Sequence, residues 1–378
     1  MNERIYLDYN ASTPLAPEVI TAMTPFLSIA YGNPSSLHWA GLPARDAVER
    51  ARSQVAALLC CDATEIVFTS GGTEANNQAI KGLFFASNSK GKPFHIITSR
   101  IEHPAVLEPC RFVQSLGAEL TLLPVDEFGL VNPDDVLRAI RPNTKLISIM
   151  HANNEVGTIQ PISLIAGIAK EHGILIHTDA AQSVGKISTD VESLGVDLLT
   201  VAGHKFYGPK GVGALFIREG VELAPLLHGA GHEAGRRAGT ENILEIVGLG
   251  AACELAQTWI DDPQVVELRE YFLQKLCTHF SDRVVLNGHP KQRLPNTLNI
   301  SFLGQHGHDI LARFPNISAS TGSACHAGTT QMSPVLEAMG VSLEIGVGAV
   351  RFSLGRMTTR TELDAVADVL AKNIDSLF

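Results

Sequence analysis

Five short segments of this 378-residue sequence carry residue types that, taken together, can do covalent chemistry on a small molecule. The most suggestive is Ala202-Gly203-His204-Lys205, directly after the apolar run Leu198–Val201. A lysine at a buried strand end is costly unless it is bonded or neutral, and a Schiff base with a carbonyl compound meets both conditions. A surface lysine in a loop is the competing reading, and Gly203 and the apolar run speak against it. Thr178-Asp179-Ala180-Ala181-Gln182 closes a second apolar run, Ile174–His177. A carboxylate there can pair with a protonated pyridine-type nitrogen and keep it charged, while Gln182 donates to a phenolic oxygen. A helix-capping aspartate reads the same way. Thr69-Ser70-Gly71-Gly72-Thr73-Glu74-Ala75-Asn76-Asn77 lies between the run Glu65–Phe68 and a helix directed toward Phe85. Its glycines allow a tight turn, after which the first helical N–H groups, the Thr73 hydroxyl and the helix dipole form a phosphate cup. The glycine spacing fits neither a dinucleotide fingerprint nor a P-loop, and alone the segment is a strand-to-helix turn capped by Thr73. His103 follows the run Phe94–Thr98. Its imidazole can lie flat on an aromatic ring or serve as an ordinary structural histidine. Finally, small residues dominate Ser320–Thr330 around Cys325, and Ser333-Pro334 then supplies an N-cap and a proline at the first helical position. A loop with so few side chains to pin it can present Cys325 as a carrier arm; a small buried thiol is the alternative. Each segment alone leans to the ordinary reading, but five on successive strand ends do not.

The elements that must position these residues are short β-rich runs alternating with helices. The runs are Glu65–Thr69, Phe94–Thr98, Glu119–Leu123, Lys145–Met150, Ile174–Thr178 and Leu198–Val201. Between them lie helical stretches such as Pro43–Leu59, Pro104–Leu116 and Pro161–His172. Apolar strands alternating with helices predict an α/β fold with a mainly parallel sheet, in which ligands bind beyond the carboxyl ends of the strands. The pattern changes at Asp261-Asp262-Pro263. Beyond it come a helix (Val265–Phe280), strands (Thr297–Phe302 and Ala349–Ser353) and a closing helix (Glu362–Leu377). The expected organisation is a large domain over residues 16–260. A smaller α+β domain is built from residues 1–15 and 261–378 and carries the cysteine loop.

Composition narrows the function further. With 29 basic against 39 acidic residues the net charge is −10, which argues against nucleic-acid binding. The N-terminal residues lack a signal-peptide shape, and no apolar run reaches the ~18 residues of a membrane span. A cytoplasmic protein without membrane association is the expectation. The six cysteines, Cys60, Cys61, Cys110, Cys253, Cys277 and Cys325, show neither disulfide nor zinc spacing, and no metal site is expected.

With these segments assembled, the chain strongly resembles the cysteine desulfurases of the class V branch of fold-type-I pyridoxal-5′-phosphate (PLP) enzymes, and their near relatives the selenocysteine lyases. The resemblance runs from Tyr6-Leu-Asp-Tyr-Asn-Ala and Gly32-Asn-Pro-Ser-Ser through Glu102-His103, His151-Ala-Asn-Asn-Glu-Val-Gly157 and Gly203-His-Lys-Phe-Tyr-Gly-Pro209 to Arg351-Phe-Ser-Leu-Gly-Arg356. It implies a PLP-binding large domain with a seven-stranded-type sheet. It also implies that Lys205 holds PLP, His103 stacks on the ring, Asp179 pairs with the ring nitrogen and Gln182 bonds the phenolic oxygen. Gly72, Thr73 and His204 would hold the phosphate, with Thr240 reaching it across a homodimer interface. Arg351, Asn154 and Asn33 would bind the substrate carboxylate, and Asn154 would also lie against the cofactor. Cys325 would accept sulfur from L-cysteine and pass it to an acceptor protein such as an iron–sulfur scaffold. One departure stands out: the family usually carries Ser-Gly-His-Lys at the lysine, and here the first position is Ala202. Selenocysteine lyases also tend to lack that hydroxyl, and His326 and Ser333-Pro-Val-Leu336 lean the same way, so release of selenium from L-selenocysteine is the alternative. A class V aminotransferase without sulfur chemistry and a nucleotide-binding module built on the Gly71-Gly72 turn are the remaining ones.

Overall fold

In the computed structural model, residues 4–88, 93–260, 262–321 and 332–374 are described. Among them are strands β1 (Ile5–Tyr6), β2 (Ile66–Thr69), β3 (His95–Ser99), β4 (Glu119–Leu123), β5 (Thr144–Ser148) and β6 (Leu175–Asp179). They are followed by β7 (Leu198–Ala202), β8 (Gly213–Ile217), β9 (Val284–Asn287), β10 (Thr297–Phe302), β11 (Ile317–Ser318) and β12 (Ala349–Ser353). The main sheet has seven strands in the order β2-β8-β7-β6-β5-β3-β4. Only β8 runs against the others, pairing antiparallel with both β2 and β7. The remaining six strands therefore share one carboxyl edge.

Helices cover both faces of this sheet, so its strands are apolar on both sides rather than alternating. Adjacent residues enter opposite cores, as the two-residue period of a strand requires. Ile97 and Ile147 pack with the helices Leu42–Leu59 and Ile243–Ala256 on one face. Ile96 and Leu146 pack with the helices Gly72–Asn88 and Pro104–Ser115 on the other. Each such side chain contributes about 1.5–3 kcal/mol on full burial.

The expected strands and helices are present, with ends that coincide or differ by one or two residues; the expected end of the closing helix, Leu377, lies outside the described residues. The antiparallel strand β8 was not anticipated, and neither was the helix Ile243–Ala256, whose residues are apolar on nearly every side because it is wedged inside the fold. A second core joins Ile5 and Leu7 to Phe272, Phe302, Phe352 and Leu363. It sits beneath the three-stranded antiparallel sheet β12-β10-β9, while β1 pairs in parallel with β11. No helix among the described residues is long and apolar enough to cross a membrane.

Candidate active site

A cleft of about 310 Å³ opens at the common carboxyl edge of the main sheet. Gly72, Thr73, His103, Asn154, Asp179, Gln182, His204, Lys205 and Arg351 all line it. The register explains the convergence. Asp179 is the last residue of β6 and pairs with Thr200 of β7, two residues before that strand ends at Ala202. Its side chain is only 6% exposed. One carboxylate oxygen accepts from Asn76 Nδ2 (2.7 Å) and the other from the Ala181 N–H (2.9 Å), so Asp179 caps its own turn while facing the cleft.

Lys205 lies three residues past the end of β7, in the short turn Gly203–Lys205. Its Nζ donates to the main-chain carbonyls of Asn10 (2.8 Å) and Ala11 (2.9 Å). Burial, reinforced by Arg351, lowers its pKa to about 8, with Asp179 and Asp8 opposing. An amine so poised is available as a nucleophile near neutral pH. His204, beside it, is pushed down to about 4 by burial and by Lys205 and Lys210; a neutral imidazole remains at the cleft.

The helix Gly72–Asn88 starts at the same edge. Gly71 has φ +144°, a conformation L side chains rarely adopt. Gly213 of β8 is forced for another reason: a Cβ there would fall 2.4 Å from the Val201 carbonyl and 2.8 Å from Gly71 Cα. Only glycine lets the helix turn and the lysine strand approach so closely. His103 is the N-cap of the helix Pro104–Ser115, its Nδ1 accepting from the Ala105 N–H (3.1 Å). In the neutral ring the proton is thereby assigned to Nε2. Desolvation lowers the His103 pKa, with Asp179 opposing and Lys205 reinforcing.

Arg351, 5% exposed on β12, donates from Nη1 to the Asn154 carbonyl (3.0 Å) and from Nη2 to Asp8 (2.7 Å). Asn154 thus holds the guanidinium through its main chain. A buried carboxylate, a lysine whose pKa is lowered to about 8, the open end of a long helix and a fixed guanidinium form a coherent donor set. They fit a phosphorylated carbonyl compound with a basic ring nitrogen, joined to a substrate bearing a carboxylate.

The family model for class V aminotransferases matches residues 5–366. Over 381 aligned positions the chain is 51% identical to the cysteine desulfurase IscS of Dictyoglomus turgidum, covering all of this chain and 96% of that protein. The chain belongs to the cysteine desulfurases. It is an enzyme of that family, built on the same fold as two solved structures. A NifS-like protein superposes with a TM-score of 0.91 at 37% identity, covering 99% of this chain and 100% of that one. SspA in complex with cysteine superposes with a TM-score of 0.83 at 41% identity, covering 93% and 98%.

Two expected site residues among the described ones, Asn33 and Thr240, do not line this desulfurase's cleft. Asn33 is exposed and accepts from the Ser35 N–H (2.9 Å), closing a local turn. Thr240 is also exposed, although its neighbour Arg237 is paired with Glu74 in the first turn of the helix Gly72–Asn88 (2.9 Å). Cys325 lies outside the described residues. Just beyond it in sequence, Ser333 caps the helix Pro334–Ala338 and donates to Glu155, the residue after Asn154.

Sequence reading assigned no role to Asn10, Asn76, Asp8 or Lys186. Asn10 is the hub: its carbonyl accepts from Lys205 and from Gln182 Nε2 (2.9 Å), and its Nδ2 donates to the Asn154 carbonyl (3.2 Å) and Thr297 Oγ1 (2.8 Å). Asn76 carries a sequence signal, standing one turn after Gly72 and Thr73 on the same helix. Asn10 and Asp8 carry none beyond their place in the Tyr6–Ala11 segment, because their partners are more than a hundred residues away.

Ala202 is 2% exposed, and a Cβ on Gly72 would lie 3.3 Å from its own Cβ. A hydroxyl at 202 would therefore lie against the Gly71–Gly72 turn, where the phosphate is expected. Ala202→Ser is expected to tighten cofactor retention by roughly 1.5–3 kcal/mol, the worth of a hydrogen bond to a charged group. Equilibrium dialysis against free cofactor checks this; unchanged or weaker retention shows a different phosphate contact.

Proposed function

We propose that this enzyme is a PLP-dependent cysteine desulfurase converting L-cysteine to L-alanine and leaving the sulfur as a persulfide on Cys325. The observation that carries the reading is Lys205 and Asp179 on neighbouring strand ends, facing one cleft together with Arg351 and the Gly72 helix. Lys205 would hold the cofactor covalently, Asp179 its ring nitrogen, Gln182 its phenolic oxygen and His103 its ring face, with Asn154 beside it. Gly72, Thr73 and His204 would hold the phosphate. Bound PLP supplies an electron sink that acidifies the α-proton of an attached amino acid.

The chain's own residues supply the rest. Arg351, held by the Asn154 carbonyl, takes the substrate carboxylate. Lys205, neutral once freed, accepts the α-proton at Nζ. The Cys325 thiolate then attacks the substrate sulfur: the S–S bond forms as the Cβ–S bond breaks, and Cβ keeps the bonding pair and gains a proton. Sulfur is oxidised to the sulfane level as carbon is reduced, so no outside oxidant is needed. Among the described cysteines, Cys110 and Cys253 are buried thiols whose pKa burial raises, which leaves them poor candidates for this task.

The persulfide would be delivered to an acceptor protein such as an iron–sulfur scaffold in the cytoplasm. The large unit, residues 16–260, would carry the cofactor, and the unit of residues 1–15 and 261–378 the cysteine. Alanine release from L-cysteine and L-selenocysteine, measured side by side with reductant, tests the reading. Turnover of selenocysteine alone would make the enzyme a selenocysteine lyase instead.

A homodimer completes the reading. Leu27, Ile29, Tyr31, Leu37 and Trp39 are all exposed, an apolar set that fits a subunit interface, and Thr240 is exposed rather than in its own cleft. In an isologous dimer each Thr240 would serve its neighbour. Thr240→Ala is expected to weaken cofactor retention, and mixing with Lys205→Ala subunits should restore it. Each mixed dimer then has one site with an intact lysine facing an intact threonine. No recovery despite verified subunit exchange would place the threonine's action within its own chain.

A further inference from the structure

Lys186 has no part in the chemistry above, yet its Nζ sits beside it. It lies 2.8 Å from Gln182 Oε1 and 3.2 Å from Asn10 Oδ1. The orientation of both amides is fixed independently of the lysine. Gln182 Nε2 faces the Asn10 main-chain carbonyl, and Asn10 Nδ2 faces the Asn154 carbonyl. A carbonyl only accepts, so the amide nitrogens must point to it and the amide oxygens must point to Lys186. The lysine donates to both, whether charged or neutral.

Placing an amine here is expensive. Burial, with Lys205 and Arg351 adding to it, drives the Lys186 pKa well below the ordinary lysine value. Lys186 also lines a cavity of about 40 Å³, together with Lys205, Asp262 and Arg356. A methionine of similar length would fill the same stem volume at no such cost. The amine's two hydrogen bonds are what a methionine could not supply.

We propose that Lys186 is a positioning residue: by holding Gln182 Oε1 it fixes that amide so that the N–H not spent on Asn10 faces the cofactor's phenolic oxygen. This rests on the proposed roles of Gln182 and Lys205. The second bond, to Asn10 Oδ1, anchors the amine itself beside Gln182, so that Lys186 acts on the cleft through that one amide. With that donor lost, the negative form of the phenolic oxygen is less well stabilised, and the neighbouring protonated state is favoured.

Lys186→Met, Gln182→Leu and the double variant test this as purified holoenzymes. The readouts are the pH midpoint of the visible absorbance, kcat and KM for L-cysteine, and the melting temperature of the cofactor-free protein. Lys186→Met is expected to raise the absorbance midpoint by about one pH unit, a tenfold change in the equilibrium. It should also lower kcat about tenfold with KM within about twofold, and leave the cofactor-free melting temperature near wild type. Residues acting through one group are not additive, so adding Lys186→Met to Gln182→Leu should change neither midpoint nor kcat further. A wild-type midpoint in Lys186→Met, or full additivity in the double variant, overturns the proposal. Should Lys186→Met fail to fold, Lys186→Gln, which keeps a donor on a shorter stem, is expected to give a smaller shift, and no shift overturns the proposal equally. Absence of a visible chromophore from the wild-type protein would instead remove the cofactor reading itself.

Discussion

Lys205→Ala is expected to lower L-cysteine turnover by at least about three orders of magnitude, because it removes both the covalent anchor and the α-proton base. The visible absorbance of the purified protein should go with it. No other described lysine lines the main cleft; Lys186 is held by Gln182 Oε1 and Asn10 Oδ1. The same site fixes a pH dependence. Condensation with an aldehyde needs the neutral amine, and the Lys205 pKa lies at about 8 rather than the ordinary 10.5. Loading of the cofactor-free protein should therefore accelerate as pH rises and level off above about 8. Stopped-flow absorbance at a series of pH values measures this directly. An alanine variant that retains substantial turnover without added amine would remove Lys205 from the chemistry. A loading rate still climbing steeply near pH 10 would mean that the lysine is not desolvated as described.

The second large effect separates two substrates at Cys325. With L-cysteine a thiolate must take the sulfur, so Cys325→Ala should fall to background. The carbon–selenium bond is weaker. Once the α-proton is gone, selenium can leave without the protein thiol, either at the zero oxidation level with alanine left behind or as selenide with pyruvate and ammonia. Cys325→Ala is therefore expected to keep measurable selenocysteine turnover, counted as alanine plus pyruvate per bound cofactor, while losing cysteine turnover. The motivation is the small-residue segment around Cys325 beside the lyase-like Ala202 and His326. Equal loss on both substrates would rule out the selenium shortcut. A variant still active on cysteine would be more damaging, because Cys325 would then not be the sulfur acceptor.

Much of this site was legible in the sequence because parallel strands covered on both faces are nearly continuous apolar runs. Their carboxyl ends announce themselves wherever a polar residue breaks the run, as at Asp179 and Ala202-Gly203-His204-Lys205. The glycines at 71 and 72 added a turn with a physical purpose. The hydrogen-bond hub at Asn10 was not legible, because its links to Gln182, Lys205 and Thr297 span 172, 195 and 287 positions in the chain. No local pattern encodes such closure. Lys186 was hidden for a related reason: a lysine one turn past Gln182 looks like a solvated charge until the fold buries it. Strand β8 escaped because Gly213 opens it and no helix precedes it, so the strand–helix alternation that revealed its neighbours is broken there. The helix Ile243–Ala256 has no polar face to display a period. Thr240 is a different case, since its expected partner site would belong to a second copy of the chain.

The most direct measurement is to reduce the purified yellow protein with borohydride, digest it and locate the phosphopyridoxyl group by peptide mass spectrometry. A single adduct on Lys205, with the colour bleached, is the expected result. An adduct on Lys186 or Lys210, or none on any lysine, contradicts it.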